Sequence, residues 1–108
     1  MISDAAFAAM KPTAVIINIG RGPVIDQVAL VRALTYGKIR GAGLDVFEQE
    51  PIPAGDPIYK FDNVLISPHC ADQTKTWLQQ AMRFFLQQYD RFCTHQPLKN
   101  VVEKHLGY

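Results

Sequence analysis

The chain has 108 residues, of which 48% are hydrophobic, and it contains seven glycines and seven prolines. This composition is typical of a single globular domain with a modest core, and it argues against a disordered or fibrous chain. Eleven Lys and Arg residues against ten Asp and Glu residues give a formal net charge of +1. The charge therefore gives no reason to expect a nucleic-acid or membrane partner, and a small molecule is the better prediction.

The cysteines and the apolar runs indicate the compartment. Cys70 and Cys93 are the only cysteines in the sequence, too few for a disulfide framework. We find no secretory leader pattern, and the apolar runs are far shorter than the roughly 20 residues that span a bilayer. These features predict a cytoplasmic protein.

The first half of the chain predicts a helix, a strand and a second helix. Ser3 is a candidate cap for a short helix over residues 4–10, and the apolar run TAVIIN, residues 13–18, predicts a parallel strand covered on both faces. The segment GRGPV then breaks the strand. A second helix is expected between Asp26, a good N-cap, and Gly37, a left-handed stop.

Two further strands are predicted around a proline-rich loop. The segment GAGLDVF, residues 41–47, and the segment NVLISP, residues 63–68, both read as short buried strands. Strands that alternate with helices favour crossover connections and a parallel sheet. The fold class is therefore α/β, with a sheet of about three strands.

A long C-terminal helix is predicted over residues 72–93, followed by a tail that needs a surface to pack on. Its apolar side chains recur at helical spacing, which is typical of a core or interface and not of a cofactor site. The members of this apolar stripe are Leu78, Met82, Phe85, Tyr89 and Phe92.

Three polar residues follow the ends of the three predicted strands. Arg21 follows the first, Glu50 comes shortly after the second, and His69 directly follows the third. In an open parallel sheet, ligands bind beyond the carboxyl ends of the strands. We therefore expect these three side chains to converge in space on a candidate catalytic site.

Each of the three residue types suits a defined chemical role. The planar guanidinium of Arg21 can bind a carboxylate through two hydrogen bonds, although a surface arginine paired with an acid is the alternative. A histidine has an unperturbed pKa of about 6.5, so His69 is a candidate general acid or base. Glu50 is the candidate neighbour that stabilises its imidazolium form. The alternatives are a solvated loop carboxylate and a histidine satisfied at a strand end.

Asp45 is a carboxylate inside an otherwise apolar strand. A buried acid is costly unless it is paired. It therefore either faces a ligand or accepts backbone hydrogen bonds near the strand end, and its position in the sequence does not separate these two alternatives.

The cysteines do not predict a thiol or metal site. Neighbours in an extended segment point to opposite sides, so His69 is poorly placed to activate Cys70. A zinc site that joins Cys70, Cys93 and His95 would have to span 23 residues of predicted helix, or about 34 Å. We therefore expect no bound metal.

The segments IINIGRGPVID and GKIRGAGLDVFEQEPIPAGDPIYKFDNVLISPH together resemble the D-isomer-specific 2-hydroxyacid dehydrogenases. This family includes glyoxylate/hydroxypyruvate reductases, D-lactate dehydrogenases and phosphoglycerate dehydrogenases. The resemblance runs from about residue 10 to residue 71. It implies a partial Rossmann-like sheet and an oxidoreductase that transfers hydride between NAD or NADP and a small 2-keto or 2-hydroxy acid.

The resemblance also implies roles for the residues at the strand ends. Arg21 would hold the carboxylate and carbonyl oxygen of the substrate, and His69 would give a proton to that oxygen. Glu50 would hydrogen-bond to His69 and keep it protonated.

A cofactor pocket is implied by the same resemblance. Asp45 would face the nicotinamide end of the cofactor. The backbone around Ile19, Gly20 and Ala71 would complete the pocket.

The sequence also departs from the family pattern. The phosphate-binding GxGxxG loop is absent, and GAGLDV is no substitute because Val46 takes the position of the third glycine. The residues after His69 also differ from the aliphatic and small residues that are common in the family.

These departures predict a partial domain. Residues 1–71 would be the second half of the dinucleotide-binding domain, and residues 72–108 the connecting helix and tail. We expect such a fragment to be inactive alone and the full-length form to be a homodimer. A non-catalytic NAD-fold binding or regulatory module is the alternative function.

Overall fold

The computed structural model describes residues 1–106, which form an α/β fold with one parallel sheet. The elements, in chain order, are α1 (Asp4–Ala8), β1 (Val15–Asn18), α2 (Gln27–Thr35), β2 (Gly41–Leu44), β3 (Val64–Ile66) and α3 (Trp77–Cys93). Short 3-10 helices lie at Gly22–Val24 and Pro57–Lys60. The chain forms two compact units, Met1–Ala71 and Asp72–Tyr108, and the last two residues of the predicted tail lie outside the described residues.

The sheet confirms the predicted α/β class with three parallel strands. Its order is β1-β2-β3, with Val15 opposite Gly41 and Ala42 opposite Val64. Because all three strands run in one direction, their carboxyl ends meet at one edge of the sheet. The segments that carry Arg21, Glu50 and His69 leave the sheet at that edge.

The connection from β1 to β2 forms as the sequence predicts. The carboxylate of Asp26 accepts a hydrogen bond from the backbone N–H of Ala29 at 2.9 Å and caps α2. Gly37 has a φ of 61°, which fits its predicted role as a left-handed stop after the helix. The shorter α1 departs from the prediction, because it ends at Ala8 and the Ser3 side chain makes no capping hydrogen bond.

One buried cluster joins α1, α2 and the sheet. It combines Phe7 of α1 and Leu30 of α2 with Leu44 of β2, and each of these side chains is at most 4% exposed. Burial of such side chains is the main favourable contribution to folding of this unit.

The prediction that β1 is covered on both faces is wrong for the described residues. Ile17 of β1 is 68% exposed and Leu65 of β3 is 75% exposed, whereas Ile16 packs against the buried cluster. Side chains alternate between the two faces of a strand, and the buried cluster of this unit covers only one of them. The other face is an apolar surface that the described part of the chain leaves exposed.

The second unit consists of α3 and the tail. The predicted helix start at residue 72 is wrong, because Trp77 is the first helical residue. Short-range hydrogen bonds precede it, such as that from the Thr74 N–H to the Asp72 carbonyl at 2.8 Å, and they form turns in place of a helix. The tail packs on α3, where Arg91 donates to the Pro97 carbonyl at 2.9 Å.

The apolar stripe of α3 is not a core within the described residues. Its Phe85 is 60% exposed and its Phe92 is 69% exposed, and α3 contains no buried residue. Both predicted roles, core and interface, therefore require a surface outside the described residues. Among residues 1–106, no helix is both long enough and apolar enough to cross a membrane.

We expect Leu30→Ala to lower the free energy of unfolding by about 2–5 kcal/mol, because the side chain is 1% exposed and its removal leaves a cavity. Val28→Ala on the same helix is the control, since Val28 is 62% exposed and should change stability by no more than about 0.5 kcal/mol. Denaturant unfolding of both variants measures this difference. Equal effects of the two substitutions would contradict the assigned core.

Candidate active site

Asn18 fixes the loop that carries Arg21. Its side chain, at the end of β1, is buried; its Nδ2 donates to the Arg21 carbonyl at 2.9 Å, and its Oδ1 accepts from the Gly20 N–H at 3.1 Å. The Asn18 carbonyl also accepts from the Asp45 N–H at 2.9 Å. The Asn18 side chain therefore fixes the loop after β1, and its backbone carbonyl joins the end of β1 to Asp45 after β2.

Gly22 brings the same loop into contact with the segment that follows β2. A Cβ atom at this position would lie 1.9 Å from the Phe47 carbonyl oxygen and 2.5 Å from the Glu48 nitrogen. Only glycine permits so close a backbone approach. The second glycine of GRG is therefore required by packing, whereas a Cβ at Gly20 would meet only the Asn18 Oδ1, at 3.7 Å.

Glu50 and His69 form a direct pair at the sheet edge. The Nδ1 atom of His69 lies 2.7 Å from Oε2 of Glu50, while Oε1 of Glu50 accepts from the Phe47 N–H at 2.9 Å. The hydrogen bond with His69, followed by that from Phe47, lowers the pKa of the Glu50 carboxyl group. Glu50 is therefore ionised at neutral pH and is a charged hydrogen-bond partner for the His69 ring.

Asp45 accepts hydrogen bonds on both sides of His69. Its Oδ1 accepts from the Ser67 hydroxyl at 2.6 Å and from the Cys70 N–H at 2.9 Å, and its Oδ2 accepts from the Ala71 N–H at 2.8 Å. The Ser67 hydroxyl, then the Cys70 N–H, lower the pKa of this buried carboxyl group despite its burial. Two roles are predicted for Asp45, facing a ligand and accepting backbone hydrogen bonds near the strand end. The structure shows the second of them.

A cavity of about 580 Å³ lies against the pair of Glu50 and His69. Its polar lining comes from Asp45, Glu50, Ser67 and His69, and its apolar lining includes Ile52 and Ile66. A small organic acid fits within this volume.

Arg21 stays outside this cavity. Within residues 1–106 its guanidinium group has one hydrogen bond, from Nη1 to the Gly20 carbonyl at 2.7 Å, and its side chain is exposed. The structure therefore joins Glu50 with His69 directly, and it joins the Arg21 loop to them only indirectly, through the Gly22–Phe47 backbone contact and the hydrogen bond from Asp45 N–H to the Asn18 carbonyl. The convergence of all three side chains on one ligand stays a prediction.

The predicted cofactor residues have different surroundings. Ile19 is 66% exposed and Gly20 is open to solvent, whereas the Ala71 N–H is already bonded to Asp45. Neither Asn18 nor Ser67 is among the predicted site residues. Asn18 carries the signal that identified Asp45, a polar residue in an otherwise apolar strand, but nothing in the sequence distinguishes Ser67 from an ordinary loop serine.

A parallel sheet with a histidine–carboxylate pair at the carboxyl ends of its strands defines a class of α/β proteins that bind small ligands at that edge. Residues 1–71 match the family described as D-isomer specific 2-hydroxyacid dehydrogenase, NAD binding domain. The chain therefore belongs to this family, which confirms the resemblance found in the sequence.

Curated relatives carry related names. The chain is 54% identical over 74 residues to the glyoxylate reductase of Thermofilum pendens, an overlap of 68% of this chain and 22% of that protein. It is 53% identical over 74 residues to glyoxylate/hydroxypyruvate reductase B of Citrobacter koseri, or 68% of this chain and 23% of that protein. The chain thus spans less than a quarter of the length of these relatives.

Solved structures extend the likeness. The D-isomer specific 2-hydroxyacid dehydrogenase of Xanthobacter autotrophicus, in complex with NADPH and MES, matches with a TM-score of 0.89 and 37% identity, over 99% of this chain and 43% of that chain. The D-lactate dehydrogenase of Lactobacillus jensenii, with NAD+, matches with a TM-score of 0.80 and 30% identity, over 95% of this chain and 35% of that chain.

We expect Gly22→Ala to destabilise the Met1–Ala71 unit by roughly 1–3 kcal/mol, because its Cβ would overlap the Phe47 backbone. Gly20→Ala, two residues away in the same motif, should change stability by no more than about 1 kcal/mol. Thermal unfolding of the two variants measures the contrast. A Gly22→Ala variant as stable as the original chain would show that the loop does not pack on Phe47.

Acid should weaken the fold through Asp45 and Glu50. Both carboxyl groups have lowered pKa values in the folded chain, so the unfolded chain binds more protons between those values and the ordinary ones near 4. Their stabilising effect is present above about pH 5 and is lost as the pH falls through the folded pKa values.

The Asp45→Asn substitution separates this effect from general acid denaturation. Its loss of stability relative to the original chain should be greatest above about pH 5 and should shrink below about pH 4. Urea unfolding at a series of pH values measures the difference. A loss that stays constant across this range would contradict the ionised, hydrogen-bonded state of Asp45.

Proposed function

We propose that residues 1–71 are the catalytic half of the dinucleotide-binding domain of an NAD(P)-dependent D-2-hydroxyacid dehydrogenase. The enzyme would reduce a small 2-keto acid of the glyoxylate or hydroxypyruvate class. The observation that carries this proposal is the 2.7 Å contact between His69 Nδ1 and Glu50 Oε2 at the carboxyl ends of the strands. Family membership and the names of the relatives support the substrate class.

His69 acts as the proton donor in this proposal. With Nδ1–H bonded to Glu50, the other ring nitrogen, Nε2, gives its proton to the substrate oxygen as the carbonyl carbon accepts a hydride. The imidazolium becomes neutral and retains the Nδ1 proton, while Glu50 stays ionised and keeps the ring oriented. The same nitrogen takes the proton back when the hydroxy acid is oxidised.

Arg21 is the proposed anchor for the substrate carboxylate. Its charge is permanent and its planar group makes paired hydrogen bonds to a carboxylate. Among the described residues the guanidinium group makes one exposed hydrogen bond, to the Gly20 carbonyl, which costs little to exchange for a ligand. Its loop is held to the end of β2 by Asn18 and Gly22, so the anchor starts from a fixed backbone position.

The loop after β1 and the Asp45 carboxylate fit a nicotinamide ring. Ile19 offers an exposed apolar side chain, and Gly20 leaves the backbone beside it open. A carboxylate has about four acceptor positions, of which Asp45 uses three, so one is left for a ring substituent. When bound, NAD or NADP supplies the hydride. The solved relatives include complexes with NADPH and with NAD+.

The assembly and location belong to the same proposal. A homodimer is supported by the large apolar side chains that the described residues leave exposed, such as Ile17, Leu65 and Phe92. A cytoplasmic location is supported by the free thiols of Cys70 and Cys93.

A chimera tests the proposed activity. Residues 1–71 replace the matching segment of the glyoxylate reductase of Thermofilum pendens, and the oxidation of NADH or NADPH with glyoxylate is followed by absorbance. We expect turnover, and we expect His69→Gln to lower kcat by on the order of 10²- to 10⁴-fold, because the proton donor is lost.

Two acidic residues of the same loop form a matched pair of variants. Glu50→Gln should lower kcat, whereas Glu48→Gln should not, because the Glu48 carboxylate accepts from the Gln27 N–H while the His69 ring bonds to Glu50. A folded chimera that binds NADH without turning over glyoxylate would favour a regulatory module. Turnover that survives His69→Gln would contradict the assigned proton donor.

A further inference from the structure

His69 adopts a backbone conformation that residues other than glycine rarely take. Its φ is 53°, in the left-handed region. A non-glycine residue stays in this region only where the surrounding contacts impose it, and such residues concentrate at functional sites. The proposed proton donor therefore depends on neighbours that determine its backbone.

Residues on both sides of His69 bond to one carboxylate. Asp45 accepts from the Ser67 hydroxyl, two residues before His69, and from the N–H groups of Cys70 and Ala71, the two residues that follow it. Asp45 is 3% exposed, so water does not compete for these hydrogen bonds. The turn that contains His69 is thus held from both ends by a single buried group.

Asp45 is itself fixed to the sheet. Its N–H donates to the Asn18 carbonyl at 2.9 Å, and the Ser67 N–H donates to the Leu44 carbonyl at the same distance. The backbone of Asp45 is therefore fixed at the end of the sheet, and its carboxylate holds the turn after β3 at a defined position.

Glu50 reaches His69 from a different element. Its Oε1 atom is held by the Phe47 N–H just after β2, so its position does not depend on the turn that contains His69. The 2.7 Å contact forms only if the His69 ring is brought to a carboxylate fixed elsewhere. A shift of 1 Å in the turn would break this hydrogen bond.

We propose that Asp45 and Ser67 are positioning residues for His69, which impose its left-handed backbone and thereby place its imidazole on Glu50. This role lies beyond the cofactor contact implied for Asp45. This positioning role rests on the proposed function only because His69 is the proton donor in that function. The lowered pKa of Asp45, caused first by the Ser67 hydroxyl, agrees with a carboxylate that stays ionised while it holds the turn.

Ser67→Ala in the 108-residue chain tests this role without substrate or cofactor. Loss of the hydroxyl should weaken the strong intraresidue NOE between the amide proton and Hα of His69, which marks a positive φ. It should also raise the carboxyl pKa of Glu50 toward its ordinary value, because the His69 hydrogen bond is its main cause of lowering. Carboxyl ¹³C NMR titration measures that shift.

Two further variants separate positioning from general stability. Ser67→Thr keeps the hydroxyl and should restore both signals. Leu30→Ala removes a buried core side chain that is far from His69 in the sequence. It should destabilise the chain without moving either signal. All readings are taken under conditions where unfolding curves show each variant to be folded.

The proposal is overturned if folded Ser67→Ala keeps the NOE and the Glu50 pKa of the original chain, or if Leu30→Ala moves them equally. Where Ser67→Ala fails to fold, Asp45→Asn provides the same readings, and unchanged signals there overturn the proposal as well. These outcomes are independent of the chimera assay. A chimera that loses turnover in His69→Gln while Ser67→Ala leaves the NMR signals unchanged would retain the function and reject the positioning role.

Discussion

The hydrogen bonds accepted by the Asp45 carboxylate are the constraint on which the site depends. An ionised group that is 3% exposed is tolerated only because its oxygens are satisfied, here by Ser67, Cys70 and Ala71. The same bonds connect the end of β2 with the turn after β3. The energetic requirement of a buried charge and the geometry of the turn that contains His69 are therefore met by one set of contacts.

In the candidate site, rigid strands fix the backbone positions and exposed side chains provide the polar groups. The backbone positions after β1, β2 and β3 are fixed by buried groups such as Asn18 and Asp45, whereas Arg21, Glu50 and His69 keep their polar ends accessible to a small acid. This arrangement gives the polar groups of the candidate site defined positions, and it leaves the backbone around them little flexibility. It also explains why GRG needs its second glycine more than its first.

Local sequence patterns predict the elements whose ends are set by neighbouring residues, but they do not predict contacts between residues far apart in the chain. Asp26 and Gly37 bound α2 because capping chemistry is local, and the strand ends located the pair of Glu50 and His69. The start of α3 was missed because turns form over residues 72–76. The partners of Asp45 lie 22–26 residues away, and such pairings depend on the folded sheet and not on spacing.

The tautomer of neutral His69 is the most direct measurement on the central claim, that Glu50 holds Nδ1 and leaves Nε2 to move the proton. Long-range ¹H–¹⁵N correlation spectra of the chain with neutral imidazole rings distinguish the two ring nitrogens. A carboxylate 2.7 Å from Nδ1 requires a proton on that atom, so we predict the Nδ1–H form. A neutral ring protonated at Nε2 would contradict the account.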